Sequence, residues 1–569
     1  MMTLREALAA ALKSLVRGKS FLKALLAFWS TTTSGVPVTP QDAGAKDSID
    51  PAADFLAEAE HLLLGYIAAN GLKKFSRRLK RQFKERLWSN PECMLPSYNS
   101  QLPTGRESGQ FLALDIGGST LRVALVELRG AAAGGAESQI VRLDSFKIDS
   151  SVRSLRGMQF FDWIAERIHR TVAKDSARGH SPDLPLLMGL AWSFPIEQTS
   201  SKGGKLSAMG KGFLANEGLV GQDLGEIIKS ACQKCGLYVE LSAIVNDSSA
   251  ALLAEAYSTP STRFSLILGT GVNIAAHLPV STIDQPKFGD RPSSWHEKAS
   301  HVIVNTELGM FGHDILPFTR WDKLLKADHP RPDFQPLEQM VSGMYLGEIC
   351  RLALVEAVQS TGVFGGKLPP SLEKPYSLDT ETLSLIEADI TPTLSTAIHT
   401  FTTRHPIPSY TPTTADLSFL RTLASHIIRR SASIIAASLH ALWELKAEAE
   451  TELLATTLAT GTETNTETHP FAIETQAELA TVQDKMTVVY NGSVVEHYPG
   501  YRQEVQMFLQ GLMAESKRER GLELGLSEDG QEVKKKIVVA GDSGAGSVAL
   551  VEARESSLRG AAVALACLS

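Results

Sequence analysis

Two kinds of apolar pattern alternate along the 569 residues. Short apolar runs broken by glycine turns read as strands: Phe111 to Leu114 and Leu121 to Val126 around one turn, Phe264 to Leu268 and Val272 to Ala276 around a second. Apolar residues at helical spacing, such as Leu420, Leu423 and Ile427, read as the core face of a helix and not as a cofactor site. Near the start, Leu4, Leu8, Leu15, Leu22 and Leu26 share one arc while Lys13 and Arg17 point away, an amphipathic helix pattern. Its most apolar stretch, Phe21 to Trp29, is interrupted by Lys23 and falls short of the roughly 20 residues needed to span a bilayer. Thr31 to Asp50 lacks periodicity and reads as a linker. Ala447 to Gln483, dominated by Glu and Thr without Lys or Arg, reads as a solvated acidic insertion (447–483) with no chemistry in it. Lys534-Lys535-Lys536 ahead of Ile537 to Ala540 reads as the exposed start of a buried strand.

Composition narrows this picture. Hydrophobic residues at 43% and charged residues at 21% are enough to bury large cores, which excludes wholesale disorder. A net charge of −7 gives no basic bias, so no nucleic-acid partner is expected. Five cysteines, an odd number, make no disulfide framework and suggest a reducing, intracellular setting. Cys232 and Cys235 have metal or redox spacing but no second pair, and they read as packing residues. In the first 41 residues Arg5, Lys13, Arg17, Lys19 and Lys23 face one acid, Glu6, which suits a mitochondrial signal or a surface anchor; a helix packed on its own domain is the alternative.

The two turns carry the candidate chemistry. Asp115-Ile116-Gly117-Gly118-Ser119-Thr120 offers backbone N–H groups and hydroxyls to phosphate oxygens without a Cβ in the way, and Asp115 could hold Mg²⁺ through water. Gly269-Thr270-Gly271 repeats the arrangement, which implies two related half-molecules clamping a polyphosphate. The Gly-x-x-x-x-Gly-Lys-Ser/Thr pattern is absent from the first turn. Ser193, Lys211, Asn246, Asp247, Asn305 and Glu307 all punctuate apolar runs, as polar groups lining a dry cleft would. Such groups can satisfy sugar hydroxyls, each of which donates and accepts.

In order, Met94-Leu95-Pro96, Leu102-Pro103-Thr104-Gly105, Leu114-Asp115-Ile116-Gly117-Gly118, Trp192-Ser193-Phe194-Pro195 with Gln198, Lys211-Gly212-Phe213, Asn246-Asp247, Leu268-Gly269-Thr270-Gly271-x-Asn273, Asn305-Thr306-Glu307 and the long run Gln335 to Glu348 resemble the hexokinase family. The resemblance implies an α/β, actin-like, ribonuclease-H-like fold of two lobes, 51–245 and 246–569 after a leader and linker at 1–50. It implies that Ser193, Lys211, Asn246, Asp247, Asn273, Glu307 and Glu338 hold a hexose, glucose with fructose or mannose as alternatives. Asp247 would be the general base, and Arg122 and Lys211 would neutralise charge on Mg-ATP. The ATP side would comprise Asp115, Gly117, Gly118, Ser119, Thr120, Gly269, Thr270 and Gly271, with Asp542, Ser543 and Gly544 seating the adenosine and Asp115 on the metal.

Several positions depart from the family pattern. Gly117-Gly118-Ser119-Thr120 stands for the Gly-Gly-Thr-Asn of the phosphate loop pattern, Ser248-Ser249-Ala250 for Thr-Val-Gly, Gly210 for a threonine, and Asn491-Gly492-Ser493 for Asp-Gly-Ser. The C-terminal Asp-Gly-Ser-Gly-x-Gly is scrambled to Asp542-Ser543-Gly544-Ala545-Gly546-Ser547. Two expectations follow: an active ATP:hexose 6-phosphotransferase of glycolysis, or a catalytically weak hexose-binding regulator of carbon metabolism. Either would be cytoplasmic, with docking at mitochondria through the leader.

Overall fold

The computed structural model describes residues 50–99, 101–130, 134, 137–173, 180–207, 209, 212–460, 475–481, 485–523 and 547–568. Lys211, the leader, Lys534 to Ala540, and Asp542, Ser543 and Gly544 lie outside these residues.

Helices α1 (Pro51–Leu64) and α2 (Gly71–Ser89) precede a short strand β1 (Leu95–Pro96). The predicted first hairpin is β2 (Ser108–Ile116) and β3 (Thr120–Arg129), followed by β4 (Ser138–Lys147), α3 (Met158–Val172), β5 (Leu186–Trp192), β6 (Ile196–Gln198), β7 (Gly204–Leu206), α4 (Leu224–Lys234) and β8 (Val239–Val245). Helix α5 (Asp247–Ser258) leads to the second hairpin, β9 (Thr262–Leu268) and β10 (Val272–Pro279), and then to β11 (His301–Asn305), α6 (Pro336–Val341), α7 (Gly343–Thr361) and the long α8 (Thr414–Thr460). The chain ends with β12 (Lys485–Asn491), α9 (Ser493–His497), α10 (Tyr501–Glu523), β13 (Ser547–Glu552) and α11 (Ser556–Ala566).

One sheet runs β4-β3-β2-β5-β8 and the other β1-β11-β10-β9-β12-β13. Apart from the edge strand β1, both have the same plan: an antiparallel three-strand meander joined to two further strands in parallel. The two predicted half-molecules are therefore repeats of one topology. Helices α5 and α11 lie against each other and against the strands, and their approach is set by small residues. A Cβ on Gly560 would sit 2.0 Å from the Ala250 carbonyl oxygen, and one on Gly189 would sit 2.2 Å from that of Ala561.

The packing divides the chain differently from a cut at residue 245. The apolar stripe of α1 and α2 (Phe55, Leu63, Leu72, Leu79, Phe83) is buried in the same core as the six-stranded sheet and α8. Conversely, Leu558, Ala562 and Leu565 of α11 complete a core with Ala113, Val126, Ala191 and Val245 of the five-stranded sheet. Sequence neighbourhood suggested the boundary, but apolar stripes bury wherever a matching face exists.

The acidic insertion also differs from expectation. Its first part continues α8, its far end is a helix at 475–481, and Glu450 and Glu478 are buried. Lys446 Nζ lies 2.6 Å from Glu450 and 3.1 Å from Glu478, Arg263 Nε lies 2.7 Å from Glu478, and His301 Nε2 lies 2.9 Å from Glu450. The cationic partners of Glu478 come from Lys446 at the edge of the insertion and from Arg263 on a remote strand, so the acidic run alone could not show them. His301, Glu450 and Glu478 have metal-ligand proximity, but the Lys446 ammonium and the Arg263 guanidinium already balance the two carboxylates.

Candidate active site

Parallel strands bring the candidate residues to common edges. In the five-stranded sheet Ile116 pairs with Trp192 and Ala191 with Val245, so Gly117, Ser193 and Asp247 leave three neighbouring strands at one level. In the other sheet Asn491 pairs with Ile267 and Tyr490 with Glu552, which places Gly269, Ser493 and Glu555 at one level too. Ligands of α/β sheets collect at such carboxyl ends.

On the first edge, Asn246 caps α5, its Oδ1 accepting from Ser249 N at 2.8 Å, so Asp247 opens the helix. An amide relay runs from there. Asn246 Nδ2 donates to Ser248 Oγ at 3.2 Å, Asn273 Nδ2 donates to the same oxygen at 3.4 Å and to Asn305 Oδ1 at 2.8 Å, and Asn305 Nδ2 donates to Glu307 Oε1 at 2.7 Å. Asn273 Oδ1 is fixed by Ile274 N at 2.8 Å. Glu307 adopts a left-handed backbone (φ 52°), a strained conformation of the kind that collects at functional sites. Burial pushes its carboxyl above the usual range, the Asn305 amide opposes this, and the charge of Asp247 adds to it. Two carboxylates therefore face one small volume. Glu338 opens α6 and accepts from Val272 N at 2.9 Å. A Cβ on Gly271 would lie 2.7 Å from that carboxylate and would push Glu338 from its bond to Val272 N.

The first turn is closed by Gly117 N donating to Thr120 O at 3.1 Å, while Ser119 O accepts from Ile148 N at 2.8 Å and Gly118 O from Arg153 Nη2 at 3.0 Å. With its carbonyls committed outward, Gly118 and Ser119 keep their N–H groups for a ligand. Asp115 pairs with Arg122 across the hairpin, Nε to Oδ2 at 2.9 Å, and Arg122 Nη1 also reaches Glu555 at 2.7 Å. Burial raises the Asp115 carboxyl, which Arg122 opposes. In the second turn Gly269 N donates to Gly271 O at 3.0 Å, and α7 docks through Gly343 N to Gly269 O at 2.7 Å and Met344 N to Thr270 O at 3.4 Å. Gly492 (φ 123°) brings Ser493 against Gly269, where the Cβ approach is 3.2 Å to Ser493 N.

These residues fit Mg-ATP on donor chemistry. Both Arg122 contacts fall on Asp115 Oδ2, which leaves Oδ1 for a hydrated cation, and Mg²⁺ needs only one or two protein carboxylates when phosphates supply the rest.

Lys211 lies outside the described residues, so its place in the cluster is not assigned. Asn246, Asp247, Asn273, Glu307 and Glu338 come together, and Ser193 stands level with Asp247. Ser248, the hub of the relay, and Asn305 carry structural roles that residue type alone did not reveal. At the C-terminus the strand that completes the sheet is β13, and the helix after it starts at Ser556. The helix start described there is Glu555-Ser556-Ser557-Leu558-Arg559-Gly560, and the expected adenosine seat at Asp542, Ser543 and Gly544 lies outside the described residues. Cys232 is buried in α4 with its thiol pushed up to about 12, a packing residue.

Two repeated half-sheets around a helix pair, with a glycine turn at each edge and a carboxylate and amide cluster between, define a two-lobed actin-like fold of the sugar kinase type. Hexokinase family models match residues 65–257 and 263–567. A hexokinase of Schwanniomyces occidentalis is 31% identical over 392 residues, covering 67% of this chain and 79% of that protein. One of Kluyveromyces lactis is 29% identical over 450 residues, 78% of this chain and 83% of the relative. The solved hexokinase of Schistosoma mansoni complexed with glucose has a TM-score of 0.66 at 24% identity, covering 90% of this chain and 99% of that one. The chain belongs to the hexokinase family and is in class a hexose kinase.

Proposed function

We propose that this chain transfers the terminal phosphoryl group of Mg-ATP to the 6-hydroxyl of a hexose, glucose foremost, with Asp247 as general base. The observation that carries this reading is the relay Asn246, Ser248, Asn273, Asn305 and Glu307 around Asp247, at the edge that also presents the first phosphate turn. The amides and Glu307 and Glu338 orient the sugar's other hydroxyls. Asp247 takes the 6-hydroxyl proton as that oxygen attacks, a contribution of about 10²–10⁴ in rate. Arg122, the turn N–H groups and α5's N-terminus stabilise negative charge on the transferring group. Asp115 would hold Mg²⁺, which would supply positive charge against the phosphates. Glu555 to Gly560 would join Asp542, Ser543 and Gly544 on the adenosine side.

The test is mass-spectrometric detection of hexose 6-phosphate from purified protein, glucose and Mg-ATP, with Asp247→Ala alongside. Product that vanishes with the variant is expected. Glucose binding without product in the wild type would instead favour the regulatory reading, which the altered Ser119 and Ser248 positions motivate. We also propose a cytoplasmic protein whose basic leader docks it at mitochondria; an unchanged cellular distribution after deletion of residues 1–33 would refute this.

A further inference from the structure

The chain crosses from the six-stranded to the five-stranded sheet between β1 and β2, and the loop 284–298 grips the start of that crossing with two cations. Lys287 Nζ donates to the carbonyls of Arg86, Asn90 and Cys93, each at 2.7 Å. Arg291 Nη2 donates to the carbonyls of Pro96 at 3.0 Å and Ser97 at 2.9 Å. The Arg291 guanidinium, 9% exposed, is caged by three rings, its carbon lying 4.3 Å from the Tyr98 centroid, 4.6 Å from Trp295 and 5.1 Å from Phe288. Among the described residues its Nε and Nη1 find no hydrogen-bond acceptor, and ring faces lie against the guanidinium instead.

Tyr98 is where this clamp meets the two-stranded β6-β7 hairpin, which Gln198 links to the five-stranded sheet. Its hydroxyl reaches Gln198 O at 3.5 Å, on the strand that follows the Trp192-Ser193 segment. Gln198 in turn donates through Nε2 to Ile244 O at 3.1 Å, three residues before Asp247. A continuous path therefore runs from Arg291, in the loop before β11, through Tyr98 and Gln198 to the strand ends that carry Ser193 and Asp247. The residues at its far end and those of Asn273, Asn305 and Glu307 come from different sheets.

We propose that Arg291 is a positioning residue for the hexose site: by stacking on Tyr98 it holds the Gln198 strand, and with it the Ser193 and Asp247 edge, in register with the Asn273 and Glu307 edge. The proposal rests on the hexose-kinase reading above. It explains why a guanidinium is buried with two N–H bearing nitrogens facing rings. A lysine would keep the charge and one carbonyl contact, but it cannot lie flat against three aromatic faces.

The experiment measures glucose affinity by intrinsic fluorescence titration, and the KM for glucose and for ATP and kcat by product formation. It compares the wild type, Arg291→Lys, Tyr98→Phe and the double variant, with folding checked by circular dichroism. Tyr98→Phe, which removes the hydroxyl's contacts with Gln198 and with Arg291, should weaken glucose binding about two- to tenfold. Arg291→Lys should weaken it at least as much, with the KM for ATP unchanged, and the double variant should match Arg291→Lys because both act on one path. Folded variants with wild-type glucose affinity would overturn the proposal, as would effects that simply multiply or that fall on ATP alone. A wild-type protein that neither binds nor phosphorylates glucose would overturn the functional reading itself, an outcome distinct from these.

Discussion

Gly560 is the position where a single methyl group tests the architecture. It lies where α11 crosses α5, and a Cβ there would meet the Ala250 carbonyl oxygen at 2.0 Å and its carbonyl carbon at 2.5 Å. Both are backbone atoms of a helix, so no rotamer change relieves the clash. Ordinary contact begins near 3.4 Å, so the helices must separate by about 1.4 Å, the difference between 3.4 and 2.0 Å. Overpacking of this kind costs about 1–3 kcal/mol, offset in part by about 1 kcal/mol of helix propensity gained over glycine. The functional cost is larger, because α5 carries Asp247 at its start and α11 carries Glu555 beside Arg122; displacing reacting groups by about 1 Å can lower rate about 10²-fold. Gly560→Ala should therefore lower kcat strongly while reducing the melting temperature modestly. Gly511→Ala is the control: it is mid-helix in α10 with nothing within 4 Å of its Cβ, and it should raise stability without touching kcat. A Gly560→Ala protein with wild-type kcat and equal or higher melting temperature would refute the close-packed crossing and its link to the site.

Glu307→Gln should raise stability at pH 7.5 while weakening glucose binding. Its folded-state carboxyl lies above the ordinary range, so the wild type loses stability as pH rises from the ordinary glutamate value through the raised one, and the variant does not; equal melting-temperature differences at pH 4.5 and 7.5 would contradict this. Glu478→Gln should cost about 3–5 kcal/mol, because it leaves Arg263 buried without its balancing carboxylate while Lys446 keeps Glu450, yet kcat should hold; urea unfolding and steady-state kinetics check both. Glu478 is held far below the usual carboxylate range, so its contribution is present at neutral pH and is lost on acidification, and the variant's deficit should shrink in acid. Arg122→Ala should raise the KM for Mg-ATP and lower kcat with glucose affinity retained, and a loss confined to glucose binding would place Arg122 elsewhere.

What was legible in the sequence was local. The glycine turns after Ile116 and Leu268 announced their hairpins because a two-period apolar run, a tight turn and a second run leave few alternatives. The polar residues ending β5, β8 and β11 stood out against buried strands. What stayed hidden was whatever depended on remote partners. Glu450 and Glu478 look solvated until Lys446, Arg263 and His301 are brought to them. The helix start at Glu555 carries no glycine-rich turn to announce it, and its glycine, Gly560, serves helix packing. A signal was present: Val548 to Val551, then Gly560-Ala561-Ala562-Val563, is a half-buried edge strand followed by a close-packed helix.

The exchange of a C-terminal helix into the five-stranded sheet sets a timing for synthesis. All five strands of that sheet are made by residue 245, but α11, which covers Ala113, Ala191 and Val245, begins 311 residues later at Ser556. At about 5–20 residues per second that is roughly 15–60 s in which an apolar sheet face waits for its cover. The same eleven residues, Ser556–Ala566, complete the sheet's core and, with Glu555 before them, the edge beside Arg122. A nascent chain therefore gains its covered sheet and its completed phosphate edge together, so a fragment that stops short of Ser556 would lack both.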